Sequence, residues 1–163
     1  MRWIPFLILA YVTLGLQLGL SGIARVGNGG IDFVLIAVAF ITINARRDAA
    51  MPACFALGLM HDLIGIGPIG TYALAYSMVA LFVAGTDRAL STEHPFTHFI
   101  VTLVGGVIVT FTLLLHGWLS RYGVPIAFWG NIAGSFYTAL LALPALWFMN
   151  KMRKSFRFKT SVG

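Results

Sequence analysis

An all-α, polytopic membrane bundle is the fold class the sequence predicts, and three observations predict it. The 163-residue chain is 59% hydrophobic and only 10% charged, too few charges for a soluble domain of its size. Its mean hydropathy of +0.89 is carried in successive apolar runs near membrane length. No stretch shows the period-two alternation that a membrane barrel strand needs. A single domain follows, because no linker, repeat or low-complexity tract divides the chain. The lone cysteine, Cys54, lies inside an apolar run, which excludes a disulfide framework.

A helix rises about 1.5 Å per residue and the hydrocarbon is about 30 Å thick, so the spans sought are near 20 residues. Six segments qualify: 3–22, 31–45, 49–65, 68–85, 97–117 and 127–149, followed by a basic tail over 150–163. The first run is longer than a signal-peptide core of about 7–15 residues and reads as a span. The second and fourth are short and would stand upright, thin the bilayer or lean on Arg46 and Arg47 at its edge. The breaks are legible as turn chemistry: Arg25 to Gly30 (RVGNGG), Arg46-Arg47-Asp48, Gly65 to Gly70, Thr86 to Pro95, and Ser120 to Pro125.

Six crossings put both termini on one side. That side carries Arg2, Arg46, Arg47, Arg88, Lys151, Arg153, Lys154, Arg157 and Lys159, against Arg25 and Arg121 on the other. The excess of basic residues places both termini in the cytoplasm. The tryptophans agree, with Trp3 and Trp147 at inner ends and Trp118 and Trp129 at outer ends. The formal charge of +6 is therefore a topology signal and not a nucleic-acid footprint, and the tail KMRKSFRFK suits anionic lipid.

Small and polar residues recur at helical spacing. Gly15 and Gly19 form a G-x-x-x-G pair beside Thr13 and Gln17, Gly58 faces one side of the third segment, and Gly130 and Gly134 form a second pair beside Ser135 and Thr138. Without a strong hydrophobic drive between helices in lipid, close approach and hydrogen bonds must hold a bundle, so these read as packing faces. The sharpest feature is Ala56 to Tyr76, where His61 and Asp62 interrupt an apolar helix that breaks on Gly65, Gly67 and Pro68. An Asp at a helix centre costs about 2.5–3.5 kcal/mol to insert and therefore needs a partner. In this topology Asp32, His61, Asp62, His116 and Asn131 share the outer depth, with Arg25 and Arg121 in the adjoining loops as counter-charges. Two readings stay open: an ion-pair cluster closing the outer end, or a recess or docking surface facing outward.

Catalytic readings lack support. Adjacent His61 and Asp62 point about 100° apart on a helix and do not orient one another. No nucleophile elbow, phosphate loop or zinc-protease order is present. His94 and His98 have metal-compatible spacing, but Pro95 between them and the missing H-E-x-x-H order favour a helix start capped by Thr92. No enzyme activity, cofactor or metal is expected.

Asp32 at the head of the second segment, the Arg46-Arg47 turn, G-L-x-x-D-L at Gly58 to Leu63 and Gly67-Pro68-Ile69-Gly70 together resemble the rod shape-determining MreD family over residues 32–76. That resemblance implies a multi-pass, non-enzymatic subunit of the bacterial elongation complex (elongasome) in the inner membrane. Its implied partners are the bitopic protein MreC and, through it, MreB and the peptidoglycan synthases. Homodimer formation is left open. The resemblance also implies a fold similar to the S components of energy-coupling-factor transporters, whence an alternative function: an outward-facing vitamin binder. The glycine pair at Gly15 and Gly19, in place of the transporter's alanine pair, argues against the alternative.

Overall fold

The computed structural model describes residues 3–20, 25–26, 29–45, 47–65, 68–86, 95–119 and 128–156. Among them are six helices: α1 (Trp3–Leu20), α2 (Phe33–Asn44), α3 (Arg47–Ile64), α4 (Thr71–Thr86), α5 (Pro95–Leu119) and α6 (Phe128–Phe156). The RVGNGG stretch, expected as a bare turn, contains a two-residue antiparallel ladder, β1 (Arg25–Val26) with β2 (Gly29–Gly30). Val26 pairs with Gly29 and Arg25 with Gly30, and β2 rests against α6.

The architecture is built around α2. Its sequence FVLIAVAFITIN is apolar on every side, a pattern suited to a helix with apolar surroundings all round, whether protein or lipid. Val34 through Thr42 are all buried, and α2 touches each of the other five helices. Twelve residues make it about 18 Å long, well short of the hydrocarbon thickness. Protein surrounds it. Among the described residues α5 alone, over Thr97–Leu119, is long and apolar enough to cross a membrane by itself, while Phe6–Leu20, Phe33–Asn44 and Thr71–Thr86 are shorter apolar helices. Large apolar side chains such as Tyr11, Leu74, Phe111 and Trp118 lie exposed around the outside.

Two helix pairs carry the most extensive packing, α3 with α4 and α5 with α6. Each has a glycine at its closest approach. A Cβ on Gly58 would lie 2.5 Å from Ala73 Cα and 2.6 Å from the Tyr72 carbonyl oxygen, so only glycine fits. A Cβ on Gly106 would lie 2.5 Å from Ser135 Cβ. The hydroxyls expected to bond between helices mostly bond within their own. Thr13, Ser77, Thr102, Thr110, Ser135 and Thr138 each donate to a carbonyl of the preceding turn, since that acceptor is always within reach of a helical hydroxyl. Helix-to-helix polar contacts gather instead at one end of the bundle.

Candidate functional site

That end is organised by two carboxylates with different tasks. Asp62, in the last turns of α3, is 3% exposed. Its Oδ2 accepts from the backbone N–H of Gly70 (2.9 Å) and Ala73 (3.1 Å), and its Oδ1 from that of Tyr72 (3.0 Å). These are unpaired amides at the start of α4, where the helix dipole is positive, so one helix supplies the cap of the next. Gly70 makes the turn possible. Its φ of +101° lies in the region that side chains disfavour. The close approach at Gly58, one turn before Asp62, brings α4 within reach of the carboxylate.

Asp32 caps its own helix. Its Oδ1 accepts from Leu35 N–H (3.0 Å), and its backbone N–H donates to Thr138 Oγ1 (3.0 Å), tying the head of α2 to α6. The neighbouring Phe33 N–H donates to Gln17 Oε1 on α1 (2.8 Å). Four helices therefore meet through two peptide units and one side chain. The fourth is α4, whose Tyr76 hydroxyl donates to Asp32 Oδ2 (2.9 Å). With that proton committed, the phenol oxygen accepts from His61 Nδ1–H (3.3 Å), which assigns a proton to Nδ1. Tyr76 is fully buried, and its ring is stacked with His61 at a centroid distance of 6.0 Å, while Tyr72 meets His61 edge-on at 4.2 Å. The chain His61–Tyr76–Asp32 thus links α3 to α2 through α4.

Beside Asp32 lies a recess of about 80 Å³, lined among others by Gly30, Tyr72, Thr110, Asn131, Ser135 and Thr138. Asp32, His61 and Asp62 are therefore brought to one locus, and Asn131 joins it across the recess. His116, half-buried in the last turn of α5, is not among the residues lining the recess. Arg121 and the side chain of Arg25 lie outside the described residues, as do Glu93 and His94. Among the described residues, backbone amides are what meet Asp62. Its carboxylate oxygens face the start of α4, where N–H groups without helical partners cluster.

The glycines divide. Gly58 lies against the Tyr72–Ala73 backbone, and Gly134 is buried and Gly130 half-buried on α6. Gly15 and Gly19 meet nothing within 4 Å, because α1 turns Phe6, Ala10 and Leu14 inward and leaves the glycine pair on another side. The sequence reading missed Tyr72 and Tyr76, whose spacing of four residues directly after a Gly-Pro break was the available signal. It also passed over Gly106, which lacks a G-x-x-x-G partner.

A family model described as rod shape-determining protein MreD matches the chain over residues 1–152. No curated protein and no solved structure matches it.

Proposed function

Since the chain belongs to the rod shape-determining protein MreD family, we propose that it is a multi-pass, non-enzymatic scaffold of the bacterial elongation complex, supporting peptidoglycan synthesis from within the inner membrane. The observation that carries this reading is the family match over nearly the whole chain. The site geometry supports it. The carboxylates of Asp32 and Asp62 hold helix ends in place, which is the work of a rigid platform. The helices cross the membrane six times with both termini in the cytoplasm, as the distribution of basic residues argues.

The partner reading rests on α1. Gly15 and Gly19 leave a shallow groove on its outer side, flanked by exposed Tyr11, Val12 and Leu18. A single membrane-spanning helix of a bitopic partner such as MreC fits a groove of this kind, and through it the complex reaches MreB and the peptidoglycan synthases. Depleting the protein should round or widen the cells, and the tagged protein should bring down a single-span partner. Replacing Gly15 and Gly19 with leucine should leave membrane abundance unchanged and abolish that recovery. Normal cell shape on depletion would refute the scaffold; unchanged recovery in the leucine variant would refute the α1 groove alone.

A further inference from the structure

We propose that the recess beside Asp32 is a seat for a small monovalent cation, held by the Asp32 carboxylate and by hydroxyl oxygens of α5 and α6. The hydroxyl of Thr110 donates to the Gly106 carbonyl (2.9 Å), that of Ser135 to Asn131 (2.8 Å) and that of Thr138 to Gly134 (2.8 Å). Each hydroxyl has one hydrogen, and all three are spent on their own helix. Thr110 and Ser135 offer the recess lone pairs, and Thr138 the one that remains after its oxygen accepts from Asp32 N–H. Asp32 adds a carboxylate whose oxygens accept from Leu35 N–H and Tyr76 Oη and retain further lone pairs. Asn131 and Tyr72 line the same space and can each turn an oxygen toward it.

The polar part of the lining, a carboxylate and hydroxyl oxygens beside apolar Leu35, Val109 and Leu113, favours a hard cation or an ammonium group over an anion. The charge is set by the one carboxylate, because Asp62 points its oxygens at three amides instead. The size agrees, since a water needs roughly 10–15 Å³ of such space and about 80 Å³ admits an ion with several waters. The inference does not depend on the shape-complex reading.

The test uses the purified full-length protein in neutral detergent. Thermal unfolding is followed in sodium chloride and in choline chloride at equal ionic strength, choline being too bulky for the recess and without an N–H. The midpoint should rise and saturate with sodium, as mass action requires, and stay flat in choline. Ethanolammonium chloride separates the sources: stabilisation by it alone identifies a lipid-type amine, and stabilisation by sodium alone a free metal ion. Asp32→Asn keeps an oxygen for Leu35 N–H and should raise the half-saturating concentration about tenfold or more, the equivalent of about 1.4 kcal/mol. Ser135→Ala, which removes a hydroxyl bonded only within α6, should raise it less and leave the midpoint in choline unchanged. Equal midpoints in all three salts, or a sodium response untouched by both substitutions, would overturn the seat and leave the recess to water. A response appearing only after Arg25→Gln would also overturn it, assigning the carboxylate to the chain's own guanidinium.

Discussion

Three amides converge on Asp62, and removing the carboxylate strands them all in a half-buried turn. Asp62→Leu should therefore strongly lower folded protein in the membrane, because each buried N–H left without an acceptor costs about 1–3 kcal/mol. Asp62→Asn retains one carbonyl oxygen and should fall between the two, as read by detergent thermal melts. Gly58→Ala acts on the same turn from the other side. Its methyl would meet backbone atoms at 2.5–2.7 Å, so α3 and α4 must separate, at a cost of about 1–3 kcal/mol or more. Tyr76→Phe keeps the buried ring and deletes the link between Asp32 and His61. A fall in stability of about 1.5–3 kcal/mol is expected, the range for a hydrogen bond to a charged group. The sequence marked Asp62 because an acid in an apolar run is visible as a letter. Its partners were not visible, since backbone amides have no letter of their own. Tyr76 was hidden for a different reason: in an aromatic-rich membrane chain a tyrosine looks like filler until its hydroxyl is placed.

The elements differ in what surrounds them, and substitutions should report that difference. Ala37 on α2 is completely buried, so Ala37→Leu has no space and should lower the melting midpoint, with overpacking costing about 1–3 kcal/mol. Leu74→Ala on the exposed side of α4 also changes the side chain by three carbons yet should change the midpoint little. The positions of α2 through α4 were readable because each is bounded by a charged or Gly-Pro break. The role of α2 was less so. Its even hydrophobicity fits a lipid-facing helix and a protein-buried one equally, and only the contact of five neighbours separates them. The glycine motifs illustrate the same limit. The pattern at Gly15 and Gly19 records that a close approach is permitted, whereas Gly106 makes one without any pattern.

At the scale of the molecule the proposed topology is open to direct measurement. Reporters fused at either terminus, or within Thr86 to Pro95, should report cytoplasm, and one inserted at Gly27 to Gly30 should report the outside. Opposite locations for the two termini would end the six-crossing arrangement. The Asp62 cap adds a constraint on how such a chain is made. While the ribosome has delivered α3 but not residues 70–73, the carboxylate has none of its N–H donors and opposes entry into lipid by about 2.5–3.5 kcal/mol if it lies near the centre. Synthesis of the next few residues removes that opposition. The two helices should therefore enter as a pair, with α3 waiting at the membrane edge for α4. Nascent chains truncated at Ile69 should show α3 poorly inserted by glycosylation mapping, chains extended through Thr86 should show it fully inserted, and Asp62→Leu should erase the difference by letting α3 enter alone.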